Sequence, residues 1–227
     1  MKGVYHMQRV PEPEYMDLTE EADAYGRADF SEVNTAFVNR LLSFALNTKS
    51  PLVLDLGVGP GDIPLRILAE KPHWHIVGLD AARAMLLIAR EARAYADPTR
   101  QLSLTLADAK TLPFPENTFD AVISNSILHH VSEPTDLWKE IGRAAKPGAL
   151  IFVRDLYRPE STEAAKALVQ HHAGNESALL QEEFYRSLLA AYTVEEVKEQ
   201  LATAGLSGLT VAQVTNRHLD VFGNVTA

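Results

Sequence analysis

The chain contains no cysteine among its 227 residues. That excludes a disulfide framework, a thiolate nucleophile and a cysteine-ligated metal centre. It also lacks any run approaching the roughly 18 consecutive apolar residues that a membrane-spanning helix needs. The amino terminus has no basic segment leading into an apolar stretch of the secretory kind, so a cytoplasmic protein is expected. A long basic run is missing too. Of a net charge of -9, residues 11–32 account for -7, with eight acids against Arg27 alone. Affinity for nucleic acid rests on clustered Lys and Arg, so nucleic acid is not expected as a partner.

What remains is an ordinary globular composition, 46% hydrophobic and 22% charged, of a length that suits one domain with an embellishment. Residues 1–30 form an acidic amino-terminal arm with Pro11 and Pro13 and little periodicity. With Tyr5, Tyr15 and Tyr25 it serves either as a lid or as a solvated extension. Ser31 reads as the N-cap of a helix burying Val33, Phe37, Leu41 and Phe44. Strands are expected at 52–56, 74–79, 102–106, 119–124 and 149–155. Helices are expected from about Asp62, at 82–94 and at 136–145, the last stopped by Pro147-Gly148. Strands separated by crossover helices predict an α/β fold, a parallel sheet covered on both faces. Residues 160–191 read as helical. The helix at 193–204 opens with a capping box, Thr193 with Glu196, and ends at Gly205. Two closing strands, 209–214 and 218–222, meet around Asn216 and read as antiparallel.

The most informative stretch is Val53-Leu54-Asp55-Leu56-Gly57-Val58-Gly59-Pro60-Gly61, a strand running into a glycine-rich turn before a helix. Such turns let a ligand approach the backbone at the carboxyl ends of parallel strands. The spacing is GxGxG, whereas a dinucleotide fingerprint is GxGxxG. Asp55 would repel a pyrophosphate and suits a ligand carrying an ammonium and a sulfonium. A nicotinamide dehydrogenase is therefore the weaker alternative. Asp80, ending the second strand, can accept both hydroxyls of a ribose or cap the following helix. Asp108-Ala109, ending the third strand, can read an adenine edge, or Asp108 is a solvated strand-end acid.

Three acids at three successive strand ends, in DLGVGPG, VGLD and ADAKTLPFPENTFDAVISNSILHH, with the AAKPGALIFVRD strand, resemble the class I S-adenosylmethionine-dependent methyltransferases. The resemblance lies with the small-molecule branch that includes the ubiquinone and menaquinone biosynthesis enzymes, and it runs from about Leu52 to Asp155. It implies a Rossmann-like, seven-stranded, mostly parallel sheet whose last strand is antiparallel, with helices on both faces. The methyltransferase domain would span 31–227, with a helical cap inserted after strand 5 at about 156–192. The implied cofactor is S-adenosyl-L-methionine and the implied partner a small-molecule substrate. Asp55, Leu56, Gly57, Gly59 and Gly61 would surround the methionine part and Asp80 the ribose. Ala81 and Met85 would border the adenine, Asp108 and Ala109 would read its edge, and Asn125 and Ser126 would lie beside the sulfonium. Members commonly have Cys where this chain has Val58, a position that contributes backbone.

Methyl transfer is an in-line displacement to which a protein contributes chiefly alignment and exclusion of water, worth roughly 7 to 11 kcal/mol in oriented intramolecular systems. A base is optional and typically adds about 100 to 10,000-fold. Candidate catalytic residues are His129, His130 and Asp155; the histidines otherwise flank a helix as a hydrogen-bonded pair. Arg154 and Asp155 pair with each other or with a neighbour, and Arg158 binds a substrate carboxylate or lies on the surface. His171-His172 does not read as a metal site, because neighbouring helical residues point about 100° apart and no HxxxH or HExxH spacing is present. No metal is expected. Other uses of the same pocket, or a non-catalytic cofactor-binding partner protein, are the competing functions.

Overall fold

A computed structural model describes residues 7–12, 29–46, 48–97 and 100–226. Tyr5, Tyr15, Tyr25 and most of the acidic arm lie outside the described residues. Helix α1 (Ser31–Leu42) precedes β1 (Leu52–Leu56), α2 (Asp62–Glu70), β2 (His75–Asp80), α3 (Arg83–Ala96), β3 (Leu102–Leu106) and β4 (Phe119–Asn125). A 3-10 turn (Leu128–His130), α4 (Thr135–Ala144) and β5 (Ala145–Leu156) follow. The chain then forms α5 (Thr162–Ala173), α6 (Ala178–Ala190), α7 (Val194–Thr203), β6 (Thr210–Gln213) and β7 (His218–Asn224).

The seven strands are ordered β3-β2-β1-β4-β5-β7-β6. β1 to β5 pair in parallel, and β7 runs antiparallel to both β5 and β6. Strand order reverses between β1 and β4, and at that switch point the carboxyl ends of the strands leave a crevice. Successive strand residues face opposite sides. On β1, Leu54 and Leu56 enter the core built with Trp138, Ile141 and Val197, whereas Val53 enters the core built with Phe37, Ile67 and Phe152. Helices therefore cover both faces, and the Phe37 and Phe152 rings stack at 4.6 Å.

Several boundaries differ from the sequence reading, among them the fifth strand, which starts at Ala145 rather than at 149. Phe30, not Ser31, is the N-cap of α1, and Phe37, Val38 and Leu41 are its buried residues. Val33 is only partly buried because it faces the central cavity; Phe44 lies past the helix and packs on Phe152 and Phe222. Pro147-Gly148 does not stop α4, which ends when Ala145 turns extended and joins β5 opposite Phe119. The Pro-Gly pair lies inside the strand, where the register shifts and Gly148 takes φ 79°, as a bulge requires.

Residues 160–191 form two helices, with Gly174 after the first. Ser161 caps α5 by accepting from the Ala164 amide, Ser177 caps α6 by accepting from Leu180, and the pair shares a small core around Leu156, Val169 and Leu188. The Thr193–Glu196 capping box at the start of α7 is formed in both directions. Among the described residues, no helix is long and apolar enough to cross a membrane.

Candidate active site

A cavity of about 650 Å³ opens over the carboxyl ends of β1 to β4 and beneath α5 and α6. Gly57, Gly59, Asp80, Ala81, Met85, Asp108, Ala109, Asn125, Ser126, His129 and His130 line it. Asp55, Leu56, Gly61 and Asp155 are not on its wall; Asp55 and Asp155 are buried behind it.

The loop after β1 spends its amides on its own structure. Gly57 and Val58 both donate to the Leu79 carbonyl, at 2.8 and 3.0 Å, and Gly61 donates to Val58 at 3.0 Å. Gly59 donates to Asp80 Oδ2 at 2.8 Å, and Pro60 has no N–H. No amide of residues 57–61 is left to cradle a phosphate, which a pyrophosphate-binding loop requires. A Cβ on Gly57, at φ 70°, would collide with the Ile127 side chain. One on Gly59, at φ 52°, would meet nothing within 4 Å and would occupy the open space where a ligand can lie against the backbone. Gly61 instead packs close to α3, where an added Cβ would lie 3.3 Å from the Ala89 methyl.

Asp55 is 2% exposed and its Oδ2 has no hydrogen-bond partner. Burial, reinforced by the Asp80 carboxylate, pushes its pKa from 3.8 to about 8. In the ligand-free chain it is therefore mostly protonated at neutral pH, which changes the expectation of a permanently anionic group. A cation brought nearby would favour ionisation. The orphaned oxygen and the open cradle at Gly59 fit a cofactor with an amine and a positive centre. Burial also raises Asp80, against hydrogen bonds from Ala82, Gly59 and Ala81. Its Oδ1 accepts from the Ala82 amide at 2.8 Å, so it shapes the turn before α3 while presenting the rest of its carboxylate to the cavity. Asp108 accepts from the Lys110 amide at 2.8 Å. Asn125 ends β4, and Ser126, at φ 62°, turns the chain beyond it.

Beyond β4, His129 Nδ1 and Asp155 Oδ1 are 2.6 Å apart. Asp155 also accepts from the amides of Leu128 and Leu156, each at 2.7 Å. Burial pushes the Asp155 carboxyl up, but the His129 imidazole and these amides outweigh it and hold it below the usual range. Burial pushes His129 down; Asp155 and Glu12 outweigh that, so its pKa is raised. An ionised Asp155 fixes the Nδ1 proton and leaves Nε2 to face the rest of the site.

Arg154 and Asp155 do not pair with each other, because consecutive strand residues project to opposite faces. Arg154 instead forms a two-pronged pair with Asp220, at 2.6 and 2.7 Å, inside the sheet. Arg158 is neither at the surface nor on the cavity wall; it is 4% exposed and bonds Glu196 Oε1 at 2.6 Å.

Sequence reasoning missed Arg9 and Glu12. Arg9 donates to the Ala190 and His129 carbonyls at 2.6 and 2.8 Å and lies over the Tyr192 ring. Glu12 Oε1 is 3.1 Å from His130 Nδ1 and 3.5 Å from His129 Nε2, and it accepts from Ser187 at 3.1 Å. No local pattern marks either residue, since their partners lie more than 100 positions away. Glu12, His129 and His130 each offer a ligand atom within 4.8 Å of the others, a donor set that could hold a metal. The same separations suit imidazolium–carboxylate contacts, which the raised His129 pKa supports.

A parallel sheet closed by one antiparallel strand, with the glycine loop at its switch point, is the class I methyltransferase architecture. Residues 54–153, less than half of the chain, match the family model described as a methyltransferase domain. It is 28% identical over 160 residues to the ubiquinone/menaquinone biosynthesis C-methyltransferase of Geobacter sulfurreducens, covering 63% of this chain and 62% of that one. It is 34% identical over 147 residues to the malonyl-[acyl-carrier protein] O-methyltransferase of Marinomonas, covering 64% and 51%. The chain thus spans less than two thirds of either relative. A methyltransferase structure from Aquifex aeolicus shares the fold, with TM-score 0.67, 20% identity and coverage of 92% and 99%.

Proposed function

We propose that this chain transfers a methyl group from S-adenosylmethionine to a small-molecule acceptor held between the sheet and the α5–α6 cap. When bound, the cofactor supplies a carbon activated by positive sulfur. The observation that carries the reading is the glycine loop, with its amides consumed internally and aspartates at the ends of β1, β2 and beyond β3. That arrangement favours an amine-bearing nucleoside over a pyrophosphate.

In this reading Gly57, Gly59 and the nearby Asp55 accommodate the amino-acid end, Asp80 holds the ribose, and Asp108 and Ala109 read the base. Leu56 and Gly61 support the loop, Ala81 and Met85 border the base, and Asn125 and Ser126 flank the reacting centre. His129, oriented by Asp155, takes the acceptor's proton at Nε2 when its ring is neutral, a form that becomes more populated as pH rises through its raised pKa, with His130 beside it. The relatives' names point to a quinone carbon in one case and an acyl oxygen in the other, so the matched segment does not select the acceptor.

Calorimetric titration with S-adenosylmethionine and with NAD tests the assignment. Saturable binding of the first and none of the second is expected; the reverse would overturn it. Asp80→Ala should weaken S-adenosylmethionine binding by about 1 to 3 kcal/mol, the range for an unmade buried hydrogen bond. A labelled methyl donor offered with a cell-metabolite extract then identifies the methylated product.

A further inference from the structure

On the side of the cavity away from the glycine loop, the turn between β6 and β7 carries two cavity-lining side chains, Arg217 and His218, with N–H groups that have no hydrogen-bond partner among the described residues. Arg217 lines the cavity beneath the cap. Its guanidinium lies over the Phe184 ring at 5.4 Å but makes no hydrogen bond or ion pair among the described residues. Glu32 attracts it at longer range, and burial, the larger influence, weakens its hold on the proton. A partly desolvated guanidinium normally satisfies its planar fork of donors, most often with a carboxylate or phosphate.

The adjacent His218 also lines the cavity. Thr215 Oγ1 accepts the amides of Arg217 and His218, at 3.2 and 3.0 Å, and lies 3.1 Å from His218 Nδ1. With its oxygen taken up by two amides, the hydroxyl gives its single proton to Nδ1. His218 is thereby fixed as the tautomer with its proton on Nε2, a second unused donor. Burial and the charges of Arg217 and Arg154 push its pKa down to about 3, so the ring is neutral. The turn is anchored by the Arg217 carbonyl, which accepts from Tyr157 at 2.8 Å. These donors are held in place before any ligand arrives. Glu32, Glu176 and Glu183 also border the cavity, but none forms an ion pair with Arg217.

We propose that Arg217 and His218 bind an anionic group of the methyl acceptor, a carboxylate or a phosphate. The acceptor would then be an organic acid or a phosphate ester whose nucleophilic atom reaches toward His129. This deepens the methyl-transfer reading and rests on it.

The test uses the full chain saturated with S-adenosylhomocysteine and titrated separately with acetate, inorganic phosphate and chloride. Binding is read from the Arg217 side-chain NH and His218 ring signals by NMR. Saturable shifts with acetate or phosphate are expected, and the stronger of the two names the source of the anion. Arg217→Met should weaken that binding by about tenfold or more, the scale of a charge-assisted hydrogen bond, with Arg217→Lys intermediate. Affinity for S-adenosylhomocysteine should stay within about twofold in both variants, which also reports that they fold. Equal responses to chloride, or unchanged anion affinity in Arg217→Met, would overturn the proposal. Failure of the wild-type chain to bind S-adenosylhomocysteine would instead overturn the methyl-transfer reading, while the anion titration of the unliganded chain would still report on the turn.

Discussion

Asp55 is a buried acid whose proton affinity is higher in the folded chain than in the unfolded one. Between its ordinary pKa of 3.8 and about 8, the folded chain keeps a proton that the unfolded chain has released. Stability contributed at this position therefore falls as pH rises through that window. Asp55→Asn removes the titration, so its stability relative to wild type should improve from about pH 5 to pH 8. Urea unfolding of both ligand-free proteins at the two pH values checks this; a constant difference would mean that Asp55 is already ionised. A cation held nearby, as in the proposed cofactor complex, would favour the ionised form of this residue. His129 illustrates the opposite balance, a buried imidazole sustained by carboxylates on both of its nitrogens.

At the level of elements, β5 carries the molecule's central division of labour. One residue, Asp155, turns toward the site and orients His129; its neighbour Arg154 turns the other way and ties β5 to Asp220 directly opposite on β7. Because Asp220 is fully buried, Asp220→Ala leaves an unpaired guanidinium in the sheet and should destabilise the fold by about 3 to 5 kcal/mol. Replacing both partners with apolar residues, as in Arg154→Met with Asp220→Leu, should be near neutral or stabilising. Urea unfolding of the single and double variants checks this, and additive losses would rule out the pair as the cause. The antiparallel return of β7 has a further consequence: it brings the Arg217–His218 turn to the same end of the sheet as the glycine loop.

Across the whole molecule, residues 9–12 buttress residues of the cavity wall without lining it themselves. Val10 pairs with the Leu189 carbonyl, Arg9 holds the His129 carbonyl, and Glu12 meets both histidines. If His129 handles the acceptor's proton as proposed, deleting residues 1–30 should lower methyl-transfer turnover by about 10-fold or more, since His129 loses its contacts with Arg9 and Glu12. The deletion should change S-adenosylmethionine affinity far less, because the glycine loop, Asp80 and Asp108 lie on other elements. Single-turnover rates and calorimetry on the truncated protein separate the two effects; unchanged turnover would leave the arm as a solvated extension.

Local signals carried the scaffold. The strand at 52–56, the helix start at Asp62 and the Thr193–Glu196 box were legible because each depends on residues within a few positions of one another: apolar runs, glycines before a helix, a reciprocal cap. The GxGxG spacing and the strand-end acids pointed to residues of which Gly57, Gly59, Asp80 and Asp108 line the cavity and Asp55 does not. Tertiary structure alone decided what those groups experience. The proton on Asp55, the coupling of His129 to Asp155, the approach of Glu12 and the lack of a partner for the Arg217 guanidinium among the described residues all depend on burial and on segments distant along the chain. Periodicity can say which face a side chain takes, but desolvation and charge pairing arise only when distant segments are packed together.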